Sequence, residues 1–300
     1  MRGNNEQRDK SLGSNDFRWL KEQALDEDTK KYISQIKEDE MMFHREKVVT
    51  PGSVPYELNF RQGKIWTTRG TAHSVANIFV QIFKNSEHTY LKDFLYGVKV
   101  FVDIGANEGY YTLRMLAENP LARAIVVEPN PVAVVLLKKN ILSNNLSDRI
   151  TIVEGAVGEG SGFVRLNTVN EVTSIGSVEN LTERYSWLNS ERVVIREVPV
   201  FRLDEILDKN DVKRVDILKV DTEGSELQVL KSGEKFLPAI EKIVLEYHSN
   251  ERSVQVSDFL EKRSFDKILQ LPESDRLGEI YFKRKHPLTK TESFSFSESR

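Results

Sequence analysis

From Val98 onward the chain alternates between two periodicities. Short apolar, β-branched runs occur at Val98–Asp103, "RAIVVE" (Arg123–Glu128), "RITIVEGAV", "VDILKVD" and "KIVLEYH". Between them lie stretches with helical spacing: Gly109–Asn119, "PVAVVLLKKNILSNN", "RLDEILDKN", "GSELQVLKSGEKFL" and "SVQVSDFLEKRSFD". Unbroken apolar runs predict strands buried on both faces, and their alternation with helices predicts a mainly parallel sheet with right-handed crossovers and helices on both sides. Two closing runs, "KILQL" and "GEIYFKR", are predicted to pair antiparallel. Between Gly158 and about Phe201 the pattern loosens into an irregular, β-rich insert.

The pattern before Val98 differs. "FRWLKEQALDEDTKKYISQIKEDEMMFHREK" combines good helix formers with apolar residues at Trp19, Leu20, Leu25, Tyr32, Ile33 and Ile36. It predicts one or two surface helices after a disordered start, and leaves open packing, pairing of two copies of the chain, or partner binding. A Pro/Gly loop near residue 50 then leads to a hairpin and a helix around Ser74–Phe83. The expected organisation is a charged helical extension at 1–50, a lead-in at 51–96, an α/β domain at 97–285 and a polar, Ser-rich, disordered tail at 286–300.

Composition narrows the function classes. The 300 residues carry a net charge of −3 with acids and bases intermixed, so no basic field is present to attract nucleic acid. With no cysteine, disulfides, Cys-ligated zinc, iron–sulfur clusters and a cysteine nucleophile are excluded. No run approaches the roughly 20 apolar residues of a membrane span, and the N-terminus has no apolar signal region. The expectation is a cytoplasmic protein without a membrane span or a nucleic-acid partner.

The chemistry concentrates where the strands end. "VFVDIGANEGYYTLRML" closes a strand on Asp103 and continues through Gly105, Ala106, Asn107 and Gly109 into a helix. In an open parallel sheet this is where ligands bind, because glycine lets them approach the backbone and the helix start offers N–H groups. A dinucleotide fingerprint would place glycine at the middle position, where this chain has Asn107. Asp103 would repel a pyrophosphate and attract an ammonium group, which favours S-adenosylmethionine over NAD. Glu128 ends the second strand, followed by Pro129 and Asn130, and an acid there can accept from both ribose hydroxyls. Gly155 and Ala156 end the third strand, where an adenine ring would lie.

Asp221 and Glu223 end the fourth strand, with Asp221 expected in the same crevice as Asp103, while Glu226 favours the following helix start. Glu246 and His248 share a face at the end of the fifth strand. His248 reads either as a general base or as an ordinary loop histidine. Asp221, Glu223, Glu246 and His248 could converge on a divalent ion, but paired acids at strand ends are common without one, and no metal is expected.

"VFVDIGANEGYYTL", "VVEPNPVAVVLLKKNI", "EGAVGEGSG", "VPVFRLDEIL" and "DILKVDTEGSELQVLKSG" together resemble the FkbM-type methyltransferase family, from about Glu57 to Phe282. The resemblance implies a class I, Rossmann-like fold of seven strands, the last antiparallel, with S-adenosylmethionine as cofactor. It implies that the Asp103–Gly109 turn contacts the methionine part and Glu128 the ribose. It also implies methylation of a hydroxyl on a small molecule or glycan, with His248, Asp221 or Glu223 as base. Arg202 departs from the family, which more often has a small hydroxyl residue there, and residues 1–50 lie outside its core. Rival readings are a nucleic-acid or protein methyltransferase, an NAD-dependent oxidoreductase, and a non-catalytic binding module. The first is disfavoured because "DTEG" stands where base-amino methyltransferases carry N/D-P-P-Y/F. The insert is expected to cover the crevice and shape acceptor choice through Thr173 and Ser174.

Overall fold

The structure is a computed structural model that describes residues 12–46, 55–68, 72–85, 90–169, 172–178, 190–274 and 276–286. The expected disordered start, the Pro/Gly loop near residue 50, most of the tail and the side chain of Ser174 lie outside the described residues.

The N-terminal part holds α1 (Ser14–Gln23), α2 (Glu27–Glu46), the hairpin β1 (Pro55–Phe60) and β2 (Gly63–Thr68), α3 (Ala72–Phe79) and α4 (Lys92–Leu95). The α/β unit follows with β3 (Val100–Ile104), α5 (Tyr110–Glu118), β4 (Arg123–Glu128), α6 (Pro131–Ser143) and β5 (Ile150–Glu154). The insert contributes β6 (Ala156–Val157), β7 (Gly162–Val169), β8 (Val172–Ser177) and β9 (Val193–Phe201). The chain closes with α7 (Leu203–Lys209), β10 (Val215–Val220), α8 (Glu226–Ser232), β11 (Ile240–Tyr247), α9 (Asn250–Glu261), β12 (Phe265–Pro272) and β13 (Gly278–Arg284).

Seven strands form the central sheet in the order β5-β4-β3-β10-β11-β13-β12. Every strand is parallel except β13, which runs antiparallel to both its neighbours. This is the expected class I methyltransferase architecture, and β12 with β13 is the expected antiparallel pair. The side-chain period of two feeds two cores. Phe101, Ile217, Val244 and Tyr281 enter one, while Val100, Val102, Leu218, Val220 and Leu245 enter the other. Helix starts follow local rules: Asn130 caps α6 by accepting from the Val132 N–H at 3.1 Å, with Pro131 in the first turn.

Two expectations change. The N-terminal helices are not confined to the surface. Phe17, Leu20, Ile33 and Ile36 are buried in the same cluster as Phe79 and Tyr110, although Leu25 and Tyr32 stay exposed. The third core strand does not run on to Val157. It stops at Glu154, and β6 joins a second, four-stranded sheet of order β6-β9-β7-β8. Gly155 is the joint, because a Cβ there would meet the Pro199 carbonyl and the Phe201 ring at 2.7 Å. Among the described residues no helix is long and apolar enough to cross a membrane.

Candidate active site

Strand order reverses between β3 and β10, and a crevice opens at their carboxyl ends. The Asp221 N–H donates to the Ile104 carbonyl at 3.0 Å, which brings the two strand ends into contact. Gly105 has φ +79, and a Cβ there would lie 1.7 Å from the Asp221 carbonyl oxygen. Only glycine fits. Asn107 takes φ +51 at the position where a dinucleotide fingerprint has glycine, and asparagine tolerates that region better than most residues. The turn is pinned over β4 by Gly105 and Ala106 N–H donation to the Val127 carbonyl, at 2.9 and 3.1 Å.

A cavity of about 220 Å³ occupies the crevice. Of the residues anticipated from sequence, Gly105, Ala106, Asn107, Glu128, Pro129, Gly155, Ala156, Asp221 and Glu223 line it. Glu128 accepts the Asn107 N–H at 2.7 Å on one oxygen and the Asn130 N–H at 2.8 Å on the other. Burial pushes its carboxyl up to about 7, against the pull of those two N–H groups. Each oxygen keeps a second acceptor position, so a vicinal diol can still be held. Asn130 and Gly109 do not line the cavity. The first caps α6, and a Cβ on the second would meet Leu137 at 2.6 Å.

Asp103 also lies behind the wall. It is fully buried, accepts the Thr112 hydroxyl at 2.7 Å, and faces the Lys219 ammonium at 3.6 Å. Asp103 does not line the cavity, and its charge faces a buried lysine. Parallel register places Lys219 beside Asp103. Lys219 lines the cavity and donates to Gly105 O at 3.2 Å and Asp221 Oδ2 at 3.1 Å. Burial alone would lower its pKa, but Asp221 and Asp103 outweigh that and raise it. The apolar look of "VDILKVD" hid this role.

The far end of the cavity is acidic. Asp221, Glu223 and Glu246 line it, with His248 directly behind. His248 Nδ1 lies 2.8 Å from Glu226 Oε1, while Nε2 has Glu246, Glu223 and Asp221 oxygens at 3.4, 3.5 and 4.0 Å. Burial would lower the imidazole pKa, but the carboxylates of Glu223 and Glu226 raise it well above the ordinary value. The carboxylates line the cavity and the imidazole lies behind them, so the carboxylates are the better candidates for a general base. Glu226 does more than favour a helix end: it also accepts the Gly224 N–H at 2.8 Å.

The insert and the N-terminal part complete the walls. Leu166, Thr173, Gly176 and Val178 come from the insert, and Gln81 and Ile82 from a π-helical turn at Val80–Lys84. Glu108, which sequence reasoning passed over, ties the insert to the turn. It accepts the Thr173 hydroxyl at 2.5 Å and the Tyr110 hydroxyl at 2.6 Å. Thr173 thus fastens the insert to the turn. Arg202 does not line the cavity and is paired with Asp204 at 3.1 Å.

These features fit S-adenosylmethionine. Gly105, Ala106 and Asn107 line the cavity, the Asn107 Oδ1 is buried without a hydrogen-bond partner, Glu128 suits a ribose diol, and no phosphate cradle is needed.

Comparison with known proteins agrees with this geometry. Residues 103–276 match the family model for the methyltransferase FkbM domain. The methyltransferase sdnD of Sordaria araneosa is 27% identical over 212 residues, which is 63% of this chain and 81% of that one. The 2-O-methyltransferase NoeI of Sinorhizobium fredii is 26% identical over 161 residues, covering 51% of this chain and 64% of its own. The 31-O-demethyl-FK506 methyltransferase FkbM of Streptomyces tacrolimicus is 24% identical over 171 residues, covering 50% and 65%. With a match over more than half its length, on a class I methyltransferase sheet, the chain belongs to the FkbM methyltransferase family.

Proposed function

We propose that this methyltransferase moves a methyl group from S-adenosylmethionine to a hydroxyl of a small-molecule or sugar acceptor. One observation carries the reading. A single cavity runs from the Gly105–Asn107 turn and Glu128 to the carboxylates of Asp221, Glu223 and Glu246. One end suits a nucleoside with a cationic amino-acid tail, and the other offers proton acceptors. The names of NoeI and FkbM, both acting on oxygen, support the same acceptor chemistry.

When bound, S-adenosylmethionine supplies an electrophilic methyl, so the work left to the chain is alignment and proton removal. Glu128 would orient the ribose, and Gly155 with Ala156 would leave room for adenine. Asp103 would act through Lys219 and the turn. The chain's part would be to hold the acceptor oxygen in line with that methyl, between the Gly105–Asn107 turn and the carboxylates. The hydroxyl proton passes to Asp221 or Glu223. The insert and the π-helical turn would keep bulk water out.

Thermal shift and calorimetry with S-adenosylhomocysteine and with NAD test the cofactor, followed by a labelled-methyl screen over hydroxylated metabolites and sugars. Stabilisation by S-adenosylhomocysteine with oxygen methylation is expected. Stabilisation by NAD alone would overturn the reading.

A further inference from the structure

We propose that Asp221, Glu223, Glu246 and Nε2 of His248 form a site for one divalent cation at the acceptor end of the cavity. The cation would present its remaining positions to the oxygens of a diol or of a hydroxyl beside a carbonyl. The acceptor role rests on the methyl-transfer reading, whereas the cation site rests on geometry alone.

Three features point to an ion. The His248 ring is buried, with its side chain 1% exposed, and its Nε2 has no hydrogen-bond partner although it is aimed into the carboxylates. Its distances to Glu246, Glu223 and Asp221 oxygens, 3.4, 3.5 and 4.0 Å, are long for hydrogen bonds. The first two are ordinary for neighbouring ligands of one ion, and the third falls nearer the separation of opposite ligands, about 4.2 Å. Ligands about 2.1 Å from a metal lie about 3.0 to 3.5 Å apart along an octahedral or tetrahedral edge. Ligand atoms of Asp221, Glu223 and His248 already lie within 4.8 Å of one another. Closing on one ion would draw these three atoms together by up to about an ångström, and Glu246 would join through its 3.4 Å approach to Nε2.

The surroundings are organised in the same sense. Glu226 Oε1 holds His248 Nδ1 at 2.8 Å, which fixes the ring with Nε2 toward the cluster. A carboxylate on the outer nitrogen of a ligating histidine is the usual support in metal sites. Lys219 engages Asp221 through Oδ2, which leaves Oδ1 turned to His248. One nitrogen with carboxylate oxygens suits manganese, iron or zinc better than magnesium or calcium. The three carboxylates line the cavity and His248 does not, so the open positions of the ion face the cavity.

The test uses the full chain, stripped with a chelator and titrated with Mn²⁺ while the free-ion EPR signal is read, then repeated calorimetrically with Zn²⁺. One ion per chain is expected. Glu246→Gln and His248→Asn should each weaken binding at least about tenfold, and Glu226→Gln by about 10- to 100-fold although it touches no ion. S-adenosylhomocysteine affinity, measured in parallel, should change less than about twofold in these variants. Absence of stoichiometric binding of either ion by the native chain would overturn the site, whatever the folding of the variants. Binding that survives both Glu246→Gln and His248→Asn would also overturn it. If the ion binds but S-adenosylhomocysteine does not, the cation site stands and the methyl-transfer reading fails.

Discussion

A methyl group added at position 105 would sit 1.7 Å from the Asp221 carbonyl, on a backbone with φ +79. Gly105→Ala must therefore separate the ends of β3 and β10. A loss of about 2–4 kcal/mol is expected, together with loss of S-adenosylhomocysteine binding, as read by denaturant unfolding and calorimetry. An unchanged midpoint would show that the crevice does not depend on this contact. At Lys219 the issue is charge. Lys219→Met leaves Asp103 fully buried with its ammonium partner removed, which costs about 3–5 kcal/mol. Adding Asp103→Asn removes the orphaned charge and should recover more than half of the loss. A double variant no more stable than the single one would mean that Lys219 acts by packing. Glu128→Ala removes both the proposed diol acceptor and the clasp on the Asn107 and Asn130 N–H groups. S-adenosylhomocysteine affinity should fall at least about tenfold, since hydrogen bonds to a charged group are worth about 1.5–3 kcal/mol. Undiminished affinity in calorimetry would remove Glu128 from the site.

Between elements, Glu108 joins the β3–α5 turn to β8 through Thr173. Burial pushes its carboxyl up to about 7 from an ordinary 4.5, against the hydroxyls of Thr173 and Tyr110. Between those values the folded chain holds a proton that the unfolded chain has released, so stability from this group falls as pH rises through the window. Urea unfolding at pH 5 and pH 7.5 should show the native chain losing on the order of 1–3 kcal/mol relative to Glu108→Gln. Parallel pH profiles for the two would show that Glu108 keeps its charge when folded. The loss comes from burying the charge, because the Thr173 and Tyr110 hydroxyls favour the ionised carboxylate.

For the molecule as a whole, the N-terminal helices share one buried cluster with the sheet. Phe79 stacks on Phe60 and Phe83 at ring separations of 4.5 Å and meets Tyr110 edge-on at 6.3 Å. Phe79→Ala should cost about 3–5 kcal/mol and shift a single calorimetric transition downward. A separate low-temperature transition would instead mark the N-terminal part as an independent unit. The same packing occupies Phe17, Leu20, Ile33 and Ile36 within the chain. Any pairing of two copies through these helices would have to use other residues, such as exposed Leu25 and Met41.

Local pattern was enough for the sheet, its helices, the antiparallel pair at the end and the small-residue turn. These features depend on near neighbours along the chain: a period of two or near 3.6, a helix start at Asn130–Pro131, a glycine spacing at Gly105 and Gly109. The acids at strand ends were legible for the same reason. What they do was not. Lys219 meets Asp103 only because β10 lies beside β3 in parallel register. Glu226 reaches His248 only because α8 and β11 bring their ends together, and Thr173 meets Glu108 only because the insert folds back over the turn. Each of these partners is remote in sequence, so its identity follows from strand order and register, which short-range pattern does not encode. Asp103 reads from sequence as a ligand contact, and the folded chain buries it against Lys219. His248 looked like a choice between a base and a loop residue, and the folded chain makes it the buried centre of four carboxylates.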